Sequence, residues 1–216
     1  MNVDQWMRLF ACQSLGAVSD TYNVSHPHNL KLYVRPDDHK IDPLPWDTDR
    51  AFSNSATSSV YGSSGSQLQK VLAIPAYKRL FQEHLYDIIT TTYDTDYLSE
   101  WVTYYAAQSG QNATARILSL IDKRRSYVLS QLPAEVPFAI MSSHRNPNRS
   151  VTLTGQAWID VADIRLHGEE ESLAPTWTTT TQWSIALALP ANTGEITLDA
   201  YDKDNQLLDS QTQTIP

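Results

Sequence analysis

Residues 20–49, DTYNVSHPHNLKLYVRPDDHKIDPLPWDTD, decide how the first part of this chain folds. Apolar and polar side chains alternate over residues 30–35, a turn-forming Pro-Asp-Asp-His follows, and a second apolar run begins at Ile41. This pattern predicts a β-hairpin. Asn29 stands at its entry and Asp47 at its exit. Because paired strands lie about 4.8 Å apart, these two side chains can come close enough to share one cation.

The same segment resembles the CotH kinase family, the atypical protein kinases that are similar to spore coat protein H. Four short pieces carry the resemblance: Asp20, His28-Asn29, Leu32-Tyr33 and Pro45-Trp46-Asp47-Thr48-Asp49. A Pro-Trp-Asp-x-Asp run beside a Leu-Tyr strand is fairly specific for this family, whereas each fragment alone is a weak signal. The resemblance continues through the helical region to about Leu132.

The resemblance implies a phosphoryl-transfer site built from oxygen-bearing side chains. In such sites a loop Asp accepts the proton of the acceptor hydroxyl, an Asn on the same loop binds one Mg²⁺, and an Asp after a short hairpin binds the Mg²⁺ that bridges the phosphates. By that pattern Asp20 is the catalytic residue, and Asn29 and Asp47 bind the cofactors, Mg²⁺ (or Mn²⁺) and ATP. The implied metal ligands are Asn29, Asp47 and Asp49.

The spacing between the loop Asp and the loop Asn departs from the kinase pattern. That pattern places the Asn five residues after the Asp, whereas Asn29 follows Asp20 by nine residues. Asn23 is therefore an alternative ligand.

Other roles are open for the same polar residues. Asp47 and Asp49 also suit an Asx-turn that leaves a strand, which is a common structural use of Asp. Asp20 also suits a solvated loop. His26 and His28 have the His-x-His spacing of a metal site, although such pairs without a third ligand are more often structural.

Helical periodicity covers most of the remaining chain up to Leu132. Apolar residues at helical spacing predict a first helix that ends at Gly16 and leads to Asp20: Val3, Trp6, Met7, Phe10, Ala11 and Leu15. A Ser-rich stretch, residues 53–66, is too polar to bury a core and is expected to be a mobile loop. Further helices are predicted from residue 67 onward.

Three details of those later helices are specific expectations. Asp94 is expected to cap a helix whose Leu98, Trp101, Val102 and Tyr105 face inward. Asn112 is expected to cap the next helix. The basic run at residues 123–125 is expected on a solvated face or in ion pairs, with phosphate contact as the alternative.

Beyond a Pro/Asn/Ser-rich linker at residues 134–150, the apolar period changes from 3.6 to 2. The short strands predict an all-β immunoglobulin-like sandwich over residues 133–216, and this part resembles bacterial Ig-like modules that follow surface enzymes. Its landmarks are Gly155-x-Ala157, Trp177, Trp183 and Tyr201-Asp202. The predicted fold class is α+β: residues 1–132 form a mostly helical portion like a kinase C-lobe, with a β-hairpin, and the sandwich follows.

Composition excludes several classes of protein. The formal net charge of −8 argues against binding of a nucleic-acid backbone. No apolar run approaches the roughly 18 to 20 residues of a membrane span. The single Cys12 excludes an internal disulfide and Cys-based zinc sites. Acidic runs in the second part suit Ca²⁺ binding or a solvated surface, and Trp158, Trp177 and Trp183 suit a core or a sugar-stacking platform.

Three hypotheses about function follow. The first is a fragment of an atypical kinase that phosphorylates Ser or Thr of a cell-surface or secreted protein. We expect its nucleotide-binding lobe to lie upstream of Met1 or to be missing, because neither a glycine-rich loop nor a strand lysine precedes Asp20. The second is a non-catalytic adhesion protein with a degenerate kinase-like lobe, binding cell-surface polysaccharide through the Ig-like part. The third, metal-dependent hydrolysis at Asp20, Asp47 and Asp49, lacks an identifiable water-activating base.

Overall fold

The computed structural model describes residues 1–23, 28–147, 150–190 and 192–216. The chain forms two compact units, Met1–Leu132 and Pro133–Pro216. The first unit is mainly helical and the second consists of antiparallel strands. The predicted α+β class, with a β-sandwich-like part, is confirmed.

The described residues of the first unit form five helices and one hairpin. In chain order these are α1 (Val3–Leu15), β1 (Leu30–Val34), β2 (Ile41–Pro45), α2 (Gln67–Val71), α3 (Pro75–Thr91), α4 (Thr95–Ser109) and α5 (Thr114–Gln131). α1 packs against α3 and β2, and α5 contacts both α1 and α3. The core consists of apolar side chains from these helices and of Val60 from the loop before α2. Its largest members include Phe10, Leu15, Leu68, Phe81, Leu85, Ile89 and Ile121.

α1 forms as its spacing predicts. Its apolar stripe is buried, and the N–H of Gly16 donates to the carbonyl of Cys12, which ends the helix. α4 also begins as predicted, because the side chain of Asp94 accepts a hydrogen bond from the N–H of Tyr97 at 2.7 Å. Such an N-cap satisfies a backbone donor that the first helical turn leaves without a partner.

The structure corrects two expectations for the later helices. Leu98 and Val102 of α4 are partly buried against the core, as expected, but Trp101 and Tyr105 are 49% and 62% exposed. The reason is that α4 packs mainly against α5, so that one narrow face has a neighbour. The N-cap position of α5 is Ala113 rather than Asn112, and no side chain caps this helix end.

The Ser-rich stretch, residues 53–66, forms neither a helix nor a strand, but it is held to the unit. Val60 is 2% exposed, and Ser14 Oγ donates to its carbonyl at 3.0 Å. Tyr61 Oη donates to the carbonyl of Gln131 at 2.6 Å. The expectation that this stretch contributes nothing to a core is therefore wrong, because one apolar residue among many serines is enough to anchor it.

In the second unit, the residues that the structure describes form two antiparallel sheets. Their strands are β3 (Ala139–Arg145), β4 (Ser150–Gln156), β5 (Asp163–Leu166), β6 (Thr176–Trp177), β7 (Gln182–Ala188), β8 (Glu195–Tyr201) and β9 (Leu207–Thr214). One sheet has the order β3-β4-β7-β6 and the other the order β5-β8-β9. Alternating residues of β4, β7 and β8 are buried between them, as in a sandwich.

β3 lies inside the stretch that composition indicated as a linker. It pairs with β4 from Ala139↔Gln156 to Arg145↔Val151. This is an edge strand with Ser and His side chains, and most of it is only partly covered. This segment is a strand because it pairs with β4, not because its apolar residues alternate. The prediction that it is a linker is therefore wrong.

Candidate functional site

The β1–β2 hairpin determines where Asn29 and Asp47 lie. β1 and β2 pair from Val34↔Ile41 at the turn to Leu30↔Pro45 at the open end. Asn29 directly precedes the first pair, and Asp47 follows two residues after the last strand residue. The register therefore places Asn29 and Asp47 at the open end of the hairpin.

The hairpin is attached to α1 through backbone and side-chain hydrogen bonds. Trp6 Nε1 donates to the carbonyl of Ile41 at 3.0 Å, and the N–H of Asn2 donates to the same carbonyl at 3.2 Å. Asn2 Nδ2 also donates to Asp42 Oδ1 at 2.7 Å. α1 thus positions both the hairpin and, at its other end, the loop that carries Asp20.

Asp20 and Asn29 are in direct contact. Asn29 Nδ2 donates to the backbone carbonyl of Asp20 at 3.0 Å and to its Oδ2 at 3.3 Å. His28 Nε2 lies 2.7 Å from Asp20 Oδ1, and both of these side chains are 43% exposed. Although Asn29 follows Asp20 by nine positions and not by five, its side chain still contacts Asp20.

The alternative ligand Asn23 has a different environment. It is 1% exposed, and its Oδ1 accepts a hydrogen bond from Thr21 Oγ1. An amide oxygen that is buried and already bonded is a poorer ligand for a cation that arrives with phosphates. His26, the other half of the His-x-His pair, lies outside the described residues.

Asp47 and Asp49 are exposed in the segment after β2. In the part of the chain that the structure describes, neither carboxylate forms a hydrogen bond or ion pair with Asp20 or Asn29. Likewise, no group of three His, Cys, Asp or Glu side chains gathers among the described residues as a metal cage would require. The same holds for the acidic runs of the second unit.

Left-handed backbone conformations surround this site. Asn29 and Asp47 have φ values of 56° and 51°, and Ala17 and Phe52 have values of 45° and 59°. Asn and Asp tolerate this region, whereas residues such as Ala and Phe are strained in it. The strain is held by hydrogen bonds, since the N–H of Phe52 donates to the carbonyl of Gly16 at 2.6 Å. Strained backbone of this kind often accompanies functional loops.

The donor set fits a magnesium ion bound together with phosphates. Asn29 directs its amide nitrogen at Asp20, so its Oδ1 is left for another partner. Mg²⁺ keeps several waters and is typically held by one or two side chains plus substrate phosphates, not by an all-protein cage. Asn29 and Asp47, at the open end of the hairpin, are the side chains that could supply those oxygens, and Asp49 follows Asp47 by two residues.

Arg124 is a structural anchor of the site that sequence reasoning missed. It is 1% exposed and donates to the carbonyls of Ser14 (3.0 and 2.8 Å), Ala56 (3.0 Å) and Ser58. The expectation of a solvated face is wrong for this member of the basic run. The available signal was its helical spacing from Ile121 and Val128, both fully buried, which places all three on one face.

Both faces of strand β1 expose apolar side chains. Leu32 and Val34 are 57% and 56% exposed, and Tyr33, which points to the opposite face, is 49% exposed. Next to this strand, Lys31 Nζ lies over the ring of Trp46, a cation–π contact.

Comparison with known proteins identifies the family. The model of the CotH kinase protein family matches residues 1–119, which is more than half of the 216-residue chain and includes the whole Asp20 to Asp49 segment. No curated protein matches the chain. Among the described residues, no helix is both long and apolar enough to cross a membrane. The chain belongs to the CotH kinase family.

Proposed function

We propose that this protein is an atypical protein kinase that transfers phosphate from ATP, with Mg²⁺ or Mn²⁺, to Ser or Thr of a cell-surface or secreted protein. The observation that carries the proposal is the contact of Asp20 with Asn29 directly before the hairpin that leads to Asp47. A loop Asp, a loop Asn and a post-hairpin Asp are three of the protein groups that kinases use for phosphoryl transfer.

In this mechanism Asp20 accepts a proton from the acceptor hydroxyl. The hydroxyl oxygen forms a bond to the γ-phosphorus, the bond from that phosphorus to the β,γ-bridging oxygen breaks, and ADP leaves with the bond's electron pair. Bound Mg²⁺ neutralises charge on the phosphates. Asn29 and Asp47 would hold it, and Asp49 would support them. The partial exposure of Asp20 leaves its carboxylate accessible to a protein substrate.

A phosphate-transfer assay tests the proposal. The full-length gene product is incubated with γ-labelled ATP, Mg²⁺ or Mn²⁺ and a Ser/Thr-rich acceptor protein, and the phosphoamino acids are identified. Incorporation on Ser or Thr that Asp20→Asn abolishes or strongly reduces supports the proposal. Equal incorporation by wild type and Asp20→Asn, or none with either divalent ion, would contradict it.

The alternative is a non-catalytic surface protein that binds polysaccharide through its β-sandwich-like unit. Trp183 is 1% exposed and packs in the core, while Trp158 donates its Nε1 proton to the carbonyl of Pro133 at 2.9 Å. Trp177 pairs with Trp183 in the strand register. These positions do not favour a shared sugar-stacking platform. Retention on immobilised polysaccharide without any phosphate transfer would favour the alternative.

A further inference from the structure

His28 makes the shortest side-chain contact of the Asp20 carboxylate among the described residues. Its Nε2 lies 2.7 Å from Asp20 Oδ1, whereas Asn29 Nδ2 lies 3.3 Å from Oδ2. An ionised carboxylate only accepts hydrogen bonds, so the Nε2 atom must carry the proton in this contact. At 3.3 Å the amide contact is at the long end of the hydrogen-bond range. His28 is therefore the stronger of the two side-chain restraints on this carboxylate.

The backbone explains how two adjacent residues can both reach Asp20. In an extended strand, successive side chains point to opposite faces. The left-handed conformation of Asn29, with φ of 56°, departs from the extended form directly after His28. Both side chains consequently contact the same residue, one at each carboxylate oxygen.

We propose that His28 is a positioning residue that fixes the orientation of the Asp20 carboxylate for proton acceptance. This inference rests on the proposed kinase function. Asp20 is 43% exposed, and a carboxylate in that environment would otherwise rotate among several orientations in water. With Oδ1 bonded to His28, rotation of the carboxylate costs that hydrogen bond, and Oδ2 keeps the orientation in which it meets Asn29 Nδ2. A general base works only within about 2.6 to 3.2 Å of the proton that it takes.

Kinetics of two His28 variants test the role. In the full-length gene product, His28→Ala should lower kcat about 10- to 100-fold while KM for ATP stays near the wild-type value, because misplaced catalytic groups cost rate rather than nucleotide binding. His28→Gln should recover most of the rate, since the Gln Nε2 donor can occupy nearly the place of the His Nε2. The control is His39→Asn in the exposed hairpin turn, where Asn also tolerates the φ of 56°. It should leave kcat unchanged.

Two kinetic results would overturn the proposal: His28→Ala with wild-type kcat, or His28→Gln as slow as His28→Ala. A second measurement does not require activity. Long-range ¹H–¹⁵N correlation spectra of the ring in mildly alkaline buffer should show the proton on Nε2 of His28 and a changed Nε2 shift in Asp20→Asn. A proton on Nδ1 would overturn the contact itself. If no phosphate transfer is found with any acceptor, the proposed function fails, and the spectra still decide whether His28 holds Asp20.

Discussion

The side-chain amide of Asn29 donates to both the backbone carbonyl and the carboxylate of Asp20, nine residues earlier in the chain. This contact closes the loop between α1 and the hairpin, and it determines which atom of Asn29 faces away from the loop. Because the nitrogen is engaged, the amide oxygen is the atom that can face a cation. Asn29 also has a left-handed φ of 56°, a conformation that Asn tolerates better than most other residues.

Substitutions of Asn29 should separate its backbone role from its side-chain role. Asn29→Gly removes the amide but accepts the left-handed φ, whereas Asn29→Ala removes the amide and places a Cβ in a strained conformation. We therefore expect Asn29→Ala to unfold more readily than Asn29→Gly by about 1 kcal/mol. Urea denaturation of the chain measures the difference in the free energy of unfolding. Equal stability of the two variants would show that the left-handed conformation is not maintained in solution.

The three acidic residues of the site should differ in their effects on phosphate transfer. Asp47→Asn should abolish transfer, because the cation that bridges the phosphates loses a charged ligand. Asp20→Asn should slow transfer but leave binding of ATP and Mg²⁺ nearly intact, because it removes only the proton acceptor. Asp49→Asn should have a smaller effect than Asp47→Asn. Transfer rates and isothermal titration of the full-length gene product with ATP and Mg²⁺ measure both properties, and loss of ATP binding in Asp20→Asn would contradict this assignment.

The 216-residue chain should bind ATP weakly when titrated by itself. Without a glycine-rich loop and a strand lysine before Asp20, the phosphates would be contacted mainly through the cation. Isothermal titration with ATP and Mg²⁺ should show no micromolar binding. A micromolar dissociation constant would mean that the nucleotide is held by residues other than those proposed.

Arg124 should be one of the most sensitive positions for stability in the first unit. Arg124→Met keeps an unbranched side chain but leaves the carbonyls of Ser14, Ala56 and Ser58 without this donor. Loss of hydrogen bonds from a buried charged group should lower the free energy of unfolding by about 3 kcal/mol. Lys123→Met, at the exposed neighbouring position, is the control and should change it by less than about 0.5 kcal/mol. Similar effects of the two substitutions would rule out the anchoring role.

His84 should make the first unit less stable in mild acid. It is 9% exposed, and burial lowers the pKa of its imidazole from the usual 6.5, although Asp4, with an oxygen 2.9 Å from Nε2, partly offsets this. The unfolded chain therefore binds the proton more readily than the folded one. The stabilising contribution is present above about pH 6.5 and is lost as the pH falls toward the lowered pKa.

His84→Gln isolates that contribution from the other titrating groups. We expect the wild type to lose more stability than His84→Gln between about pH 7 and pH 5, the range in which an unfolded His gains its proton. Amide hydrogen exchange of α3 reports opening of the first unit within the whole chain. Parallel pH profiles of the two proteins would show that His84 is not buried in its neutral form.

Substitution of Gly155 should strongly destabilise the second unit. A methyl group at this position would overlap the carbonyl oxygen of Ala139 and the indole ring of Trp183. Gly155→Ala should therefore lower the free energy of unfolding by about 3 kcal/mol, because neither a strand backbone nor a core Trp can shift easily. Gly194→Ala is the matched control, since nothing lies within 4 Å of the added methyl. Thermal denaturation followed by Trp fluorescence compares the two variants.

Local features of this protein were predictable because they depend on residues close together in the chain. The apolar stripe of α1, the cap at Asp94 and the β1–β2 hairpin all form where spacing and turn residues indicated. The family resemblance was also visible in a contiguous segment, and the family match covers that segment. The candidate residues Asp20, Asn29 and Asp47 could be chosen from the sequence for the same reason.

Tertiary structure decided the features that depend on distant partners. Arg124 is buried because the carbonyl of Ser14, 110 residues away, accepts its hydrogen bonds, and no local pattern records that partner. Trp101 is exposed because α4 has a neighbour on only one face, and β3 exists because β4 lies beside it. The contact of Asp20 with His28 and Asn29 required folding of the loop between them. Sequence periodicity states which side chains share a face, but burial and hydrogen bonding depend on what that face meets.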